Sequence, residues 1–271
     1  MKYKVSRLAA HMVLIFLSFI AVFPLYWMVI SSLKNSADIY SYDWIATSPT
    51  LENYISAVTT VPLLRMMLNS AIISVSSAVL QLTIALLFAY AFMRWNFRGK
   101  NILYGILTIS WLIPIQVIMV PNYIEIINLG LGNTLIAIVL PHCCSVFANI
   151  NTYQNCNSIP RALIDAARLD GSSEFQILKD IILPNMRAAV SSLCIVLIIT
   201  AWNDYLWPSL IARSAEKSPV QVGLKSFVIG DTNMWGSAMA AATLSCVPIL
   251  IAYLFMNRQI INSFMKGGIK R

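Results

Sequence analysis

Six long apolar stretches constrain the fold of this 271-residue chain more than any other feature. Each holds about the 20 mostly apolar residues that a helix needs to cross a bilayer. They cover residues 8–30, 67–93, 102–122, 134–155, 187–207 and 237–256. A helix satisfies its own backbone hydrogen bonds, as hydrocarbon requires. The sequence therefore predicts an all-α, polytopic membrane protein with about six transmembrane helices in a single domain over residues 1–271.

The composition excludes a soluble globular domain. Hydrophobic residues make up 58% of the chain and charged residues only 11%, whereas soluble domains contain about 25% charged residues. The first apolar stretch follows Lys2, Lys4 and Arg7, as the core of a signal peptide would. It is longer than the ~7–15 residues of such a core and no A-x-A-like site follows it, so we interpret it as an uncleaved span.

Prolines lie within three of the predicted spans, at Pro114, Pro141 and Pro248. A proline in a spanning helix usually kinks it, and neighbouring helices satisfy the backbone groups that the kink frees. We therefore predict kinked spans at these three positions.

The distribution of Lys and Arg predicts the orientation, because cytoplasmic segments carry the excess of both residues. With six spans and both termini in the cytoplasm, fourteen of the nineteen basic residues lie inside. Those fourteen are Lys2, Lys4, Arg7, Arg94, Arg98, Lys100, Arg161, Arg168, Lys179, Arg187, Arg258, Lys266, Lys270 and Arg271. The net charge of +8 is spread between apolar runs, and no basic stripe interleaved with aromatic residues indicates a nucleic-acid partner.

A polar segment between the fourth and fifth spans, residues 158–184, has the residue order of a helix–turn–helix. Ser158 is a candidate N-cap for a first helix that ends near Asp170, and Pro160 suits its first turn. Gly171 then allows a sharp left-handed turn.

A second helix is predicted to start at a capping box formed by Ser173 and Gln176. We expect it to stop at Pro184, which restricts the residue before it. The first helix carries small and charged residues that suit a groove in a partner: Ala162, Asp165, Ala166, Ala167, Arg168 and Asp170. From the residues alone, an amphipathic helix on the membrane surface explains the pattern equally well.

A resemblance favours the docking interpretation. The run Asp165-Ala166-Ala167, then Gly171, then Leu183-Pro184 resembles the EAA loop of permease subunits of bacterial ATP-binding-cassette (ABC) importers. In that family the motif reads Glu-Ala-Ala, then Gly at the same spacing, then Ile-x-Leu-Pro. Asp165 replaces the usual Glu, which keeps the charge and shortens the side chain by one methylene.

The resemblance extends over nearly the whole chain and points to carbohydrate importers of the MalG-like kind. The matching stretches are residues 49–54, 67–70, 202–208, 221–224, 235–241 and the basic tail 266–270. One departure precedes the loop. Tyr153, Asn155 and Cys156 stand where family members often have an Arg and paired Phe.

The resemblance implies transport by alternating access, driven by a separate ATPase. This chain lacks a G-x-x-x-x-G-K-[ST] loop, so ATP and Mg²⁺ would be used by the partner. The implied partners are a second permease subunit, two cytoplasmic ABC ATPases and an extracytoplasmic solute-binding protein, assembled at the bacterial cytoplasmic membrane. The implied coupling residues are Asp165, Ala166, Ala167, Asp170, Gly171 and Pro184.

Polar residues at membrane depth are candidates for a solute path. Trp202, Asn203, Asp204 and Tyr205 combine the aromatic rings with the carboxylate and amide that sugar sites use. An interfacial aromatic belt accounts for the same cluster. Gln81 and Asn149 have two open interpretations as well, since they can line a path or form hydrogen bonds between helices.

Three other functions remain as alternatives. An importer for a polyol phosphate such as glycerol 3-phosphate would want Arg or Lys inside its spans, and these spans are nearly free of both. A secondary transporter often shows inverted repeats, and none is evident. A membrane enzyme would need a catalytic constellation, which is missing. The isolated His11 and His142 and the five cysteines, which look like small core residues, predict no metal site.

Overall fold

A computed structural model describes residues 2–35, 37–228 and 234–268 of the chain. The α-helices are α1 Lys2–Leu33, α2 Glu52–Thr60, α3 Leu63–Arg94, α4 Lys100–Ser110, α5 Ile115–Asn128, α6 Leu135–Val139, α7 Val146–Cys156, α8 Arg161–Leu169, α9 Glu174–Gln176, α10 Leu183–Trp202, α11 Leu206–Ile211, α12 Val220–Lys225 and α13 Trp235–Gly268. Leu140–His142 and Ala215–Lys217 are 3-10 helices, and Ile177–Ile182 is a π-helix. The three described ranges contain no β-strand, and the predicted all-α fold is confirmed. Residues 269–271, which include the end of the predicted basic tail, lie outside the described ranges.

Four helical stretches in these ranges are long and apolar enough to cross a membrane. They are Ala10–Leu33, Leu63–Arg94, Glu174–Ile211 and Trp235–Phe255. Two bent pairs of helices, α4 with α5 and α6 with α7, pass the same test when each pair is taken together. The number of spans rises to six if each bent pair is one span.

The three prolines act differently from one another. Pro248 lies inside the continuous helix α13. Pro114 does not kink a helix, because the chain breaks between α4 and α5 with a bend of 95° and Pro114 starts α5 in an extended conformation. Pro141 lies in the 3-10 turn before a bend of 48°. A proline disfavours the helical conformation in the residue before it, yet Leu140 before Pro141 is helical, with φ −58° and ψ −48°. This preference therefore does not explain the bend at Pro141.

Contacts divide the chain into two compact units. The first combines the chain up to Arg65 with Gly223–Pro248. In this unit α2 ties down the end of α1, since the Asn53 amide donates to the carbonyl oxygens of Ser32 (3.0 Å) and Lys34 (2.7 Å). The Tyr54 hydroxyl lies 2.7 Å from Ser32 Oγ.

The second unit consists of Met66–Val222 and the residues from Ile249 onward. A polar joint fixes its irregular segment after α11. Asn133, with a left-handed φ of 58°, accepts from the backbone N–H groups of Arg213 (3.0 Å) and Ser214 (3.2 Å). The Asn69 amide donates to the carbonyl oxygens of Glu216 (2.9 Å) and Ser218 (3.0 Å). These bonds hold the segment to α3 and to the turn before α6.

Candidate functional site

The turn predicted at Gly171 is present, with a left-handed φ of 82°. The N–H of Gly171 donates to the Arg168 carbonyl (3.0 Å), and the N–H of Ser172 donates to the Ala167 carbonyl (2.9 Å). This pair of bonds is the Schellman motif, which satisfies the last carbonyl groups of a helix. A Cβ at Gly171 would meet no described atom within 4 Å. The backbone angle alone therefore favours glycine here.

The start of α8 differs from the prediction. Pro160 occupies the N-cap position, and Ser158 Oγ donates to the carbonyl oxygen of Asn155 at 2.7 Å. Ser158 therefore binds the C-terminal end of α7 and does not cap the start of α8, because a serine hydroxyl readily bonds a carbonyl three residues before it in the chain.

The second loop helix starts as predicted and ends elsewhere. Ser173 Oγ accepts from the N–H of Gln176 (3.3 Å), and the Gln176 side chain accepts from the N–H of Ser173 (2.7 Å), which confirms the capping box. The prediction that this helix stops at Pro184 is wrong. Helical backbone continues through the π-helix into α10, and we call Glu174–Trp202 the helical rod. A proline ring clashes with the carbonyl four residues before it in an α-helix, and the wider π turn before Pro184 relieves that clash.

An apolar core joins the loop to the helices around it. Ile164 and Ala167 of α8 are buried together with Ile177 and Ile182 of the rod. The same cluster includes Ala89, Tyr90 and Met93 of α3, Cys156 and Ile159 after α7, and Met186. Ala167 therefore supports α8 from inside the subunit, whereas Ala166 is exposed.

A carboxylate at the first residue of the rod connects three elements. Glu174 accepts from the Tyr90 hydroxyl and pairs with Arg94, whose Nε lies 2.8 Å from Oε1. Arg168 of α8 lies 3.7 Å from the other carboxylate oxygen and 3.3 Å from Asp165. We call Tyr90, Arg94, Arg168 and Glu174 the Glu174 cluster. It ties α3, α8 and the rod to one another.

Large apolar side chains project from the loop into the surroundings. Leu169 is 89% exposed and Phe175 is 72% exposed, next to the turn at Gly171. Asp165 and Asp170 are exposed beside them. Exposed apolar residues rimmed by polar ones mark sites of protein or membrane contact. This end of the loop, which we call the docking surface, has the chemistry of such a contact site.

The side chains of the four consecutive residues predicted for the solute path do not line one site. Trp202 is buried, and exposed Asn203 accepts from the Gln221 amide at 3.2 Å. Of the four, Asp204 alone lines a cavity of about 340 Å³ in the second unit. Trp207, which flanks the predicted cluster, lines it too, and its indole N–H donates to the Ala137 carbonyl at 3.1 Å.

His142 is not isolated, contrary to the prediction. Its Nε2 lies 3.5 Å from Oδ2 of Asp204, and both side chains line the cavity. The Asp204 carboxylate also faces the backbone N–H groups at the start of α11. Ser77 and Gln81, one turn apart on α3, line the same cavity. No group of three or more His, Cys, Asp or Glu within the described ranges could hold a metal ion.

Sequence reasoning missed the Glu174 cluster and the His142–Asp204 pair. The signal for the first was the i, i+4 spacing of Tyr90 and Arg94 at a span end, which puts both on one helix face. For the second pair no local signal exists, because His142 ends the 3-10 helix after α6 and Asp204 lies in the break between α10 and α11.

The chain combines apolar spans with a cavity that has polar groups in its lining, and its helical loop ends in exposed apolar side chains. These are the features of a membrane transport subunit. A family model for the inner membrane component of binding-protein-dependent transport systems matches residues 81–265, more than half of the chain. The chain belongs to this family, and it is the permease component of an ABC importer and not an enzyme.

Two relatives and one solved structure illustrate the similarity. The arabinooligosaccharides transport system permease protein AraQ of Halalkalibacterium halodurans is 30% identical, over 100% of both chains. The sn-glycerol-3-phosphate transport system permease protein UgpE of Brucella abortus is 28% identical, over 97% of this chain and 96% of its own. A chain of a bacterial ABC transporter involved in the import of the acidic polysaccharide alginate matches with a TM-score of 0.83 at 21% identity, covering 94% of this chain and 96% of that one. That last likeness supports the fold.

Proposed function

We propose that this permease carries a sugar or an oligosaccharide into a bacterial cell across the cytoplasmic membrane. The name of the AraQ relative supports this solute class. The absence of Lys and Arg from the described lining of the cavity also favours a neutral solute, since a phosphate path would want cationic side chains.

The helical rod is the observation that carries the mechanism. Its first residue, Glu174, belongs to the cluster under the docking surface, and Thr200 near its far end lines the cavity. A continuous helix with no loop between these ends moves as one body. A push on the docking surface is thereby converted into movement at the cavity, as alternating access requires.

The force in this proposal comes from ATP hydrolysis in two cytoplasmic ABC ATPases, which bind ATP and Mg²⁺ and contact the surface around Asp165, Ala166, Asp170 and Gly171. A second permease subunit pairs with this one, and an extracytoplasmic solute-binding protein delivers the solute. Both termini lie in the cytoplasm, so that the loop faces the ATPases.

Uptake by the complete importer in proteoliposomes tests the proposal. We expect ATP-dependent uptake of short neutral oligosaccharides that requires the ATPase and the binding protein. Glycerol 3-phosphate is the competing solute, because the UgpE relative is named for it. Uptake of glycerol 3-phosphate alone would contradict the sugar proposal, and uptake without the ATPase would contradict ABC coupling.

A further inference from the structure

Polar side chains in the lining of the second unit's cavity lack hydrogen-bond partners among the described residues. Ser77 is 1% exposed and Gln81 is 8% exposed, and neither side chain makes a hydrogen bond within the described ranges. His142 Nε2 is also buried without a hydrogen bond to a described residue, although Asp204 Oδ2 lies 3.5 Å away. The cost of about 1–3 kcal/mol for a buried unpaired group applies to His142 alone, because the polar atoms of Ser77 and Gln81 are not among the buried unpaired ones. A Ser hydroxyl and a Gln amide that line one cavity without partners therefore point to a ligand.

The chemistry of the lining selects the ligand. The Gln81 amide and the Ser77 hydroxyl each donate and accept, and the Asp204 carboxylate accepts. Hydroxyl groups, which also donate and accept, match this set. The carboxylate would repel a phosphate, and the described lining holds no Lys or Arg to offset it.

The size and the lining of the cavity fit the same class of ligand, a molecule rich in hydroxyl groups. Its volume of about 340 Å³ lies at the small end of ligand pockets, which are about 300–1,000 Å³. Beyond its polar groups the lining is mostly apolar, with Met119, Leu197 and Trp207 among the residues that can cover the face of a ring.

We propose that this cavity binds one ring of a neutral, hydroxyl-rich solute, with Ser77, Gln81 and the His142–Asp204 pair as the polar part of its lining. The inference rests on the proposed function, because it places the solute path inside this subunit. A competing role for Gln81 is a hydrogen bond to the second permease subunit. In that case its loss would weaken assembly.

Uptake and ATP hydrolysis by the complete importer in proteoliposomes test this site, with radiolabelled short oligosaccharides of arabinose, glucose and xylose as probes. Gln81→Leu removes the amide at similar size, and Ser77→Ala removes only a hydroxyl. We expect solute moved per ATP hydrolysed to fall about tenfold in Gln81→Leu and about threefold in Ser77→Ala, as for one or two hydrogen bonds. Asp204→Asn should also lower it. Basal ATP hydrolysis and assembly are measured for each variant, so that a loss of uptake is separated from a loss of the complex.

Thr83→Val is the matched control. Thr83 lies on the exposed side of the same helix, and its hydroxyl bonds the Val79 carbonyl at 2.8 Å. This variant should transport at the unmodified rate. The Ser77→Ala result keeps the test decisive if Gln81→Leu does not assemble.

The outcomes separate this site from the proposed function. Oligosaccharide uptake that both Gln81→Leu and Ser77→Ala leave unchanged would overturn the site and leave the function standing. Loss of assembly in both variants would assign these residues to subunit pairing and also overturn the site. If the unmodified importer moves glycerol 3-phosphate and no oligosaccharide, the function and the site both fail.

Discussion

Replacing Gly171 by valine perturbs the helix–turn–helix segment, residues 158–184, at a single backbone angle. The φ of 82° is a left-handed conformation, which costs a residue with a Cβ roughly 1–2 kcal/mol. No described atom lies within 4 Å of the added Cβ, so no steric clash adds to this cost. A free-energy cost of that size lowers the ratio of formed to broken turns at Gly171 about 5–30-fold.

The structural effect of Gly171→Val should be confined to the segment 158–184. The Schellman bonds from Gly171 and Ser172 hold the turn between α8 and the rod, while the spans do not depend on them. We expect Gly171→Val to insert in the membrane and to assemble with its partners. Solute-stimulated ATP hydrolysis and uptake should fall together by about 5–30-fold, because the docking surface no longer stands in a fixed relation to the rod.

Two variants isolate the cause. Gly130 has a φ of 70° and equally open surroundings, so Gly130→Val introduces the same strain far from the loop and should keep ATP hydrolysis coupled to uptake. Gly171→Asn retains a residue that tolerates the left-handed region and should recover most of the lost activity.

Reconstituted complexes provide the measurement, with uptake and ATP hydrolysis followed in the same proteoliposomes. Unmodified rates for Gly171→Val would refute the coupling argument. So would a Gly171→Val subunit that never reaches the membrane, because the turn would then serve folding. Equal losses in Gly130→Val would show that strain anywhere in the subunit is sufficient.

Three further predictions concern other parts of the molecule. In a variant without native cysteines, Lys179→Cys should react only with reagents on the cytoplasmic side and Lys217→Cys only from outside; labelling of both from one side would contradict the topology. Glu174→Gln should lower solute-stimulated ATP hydrolysis up to about fivefold, since a partly exposed ion pair contributes about 1 kcal/mol. The control variant Asp43→Asn should have no effect. Equal rates in both variants would refute a role for the Glu174 cluster. Asn133→Ala should lower the free energy of unfolding by about 2–4 kcal/mol, from left-handed strain and the lost acceptor, and a thermal melt in detergent that matches the unmodified protein would rule this out.

The sequence by itself determined the features that arise within a few residues of one another. Runs of apolar residues predicted an all-α fold with about six spans. The structure confirms the all-α fold, and its described residues hold four spans, or up to six if each bent pair is one span. Gly171 and the Ser173–Gln176 capping box were predicted correctly as well, because a turn and a helix start depend on backbone groups no more than five residues away.

The tertiary structure decided the outcome at the prolines. Pro184 looked like a helix end, yet the rod passes through it, while Pro114 and Pro141 became breaks. Proline removes one backbone donor in every case, but the residues before Pro141 and Pro184 stay helical against their preference for an extended conformation. Whether the chain then kinks, widens into a π turn or breaks depends on the helices packed around it.

The functional groups likewise depended on contacts between distant parts of the chain. Glu174 meets Tyr90 and Arg94 across 84 and 80 positions, and His142 meets Asp204 in the lining of the cavity. Periodicity places a side chain on one face of its own helix. Which other helix that face meets is set by the packing of apolar surfaces, and so only the folded structure could bring these charged and polar groups together.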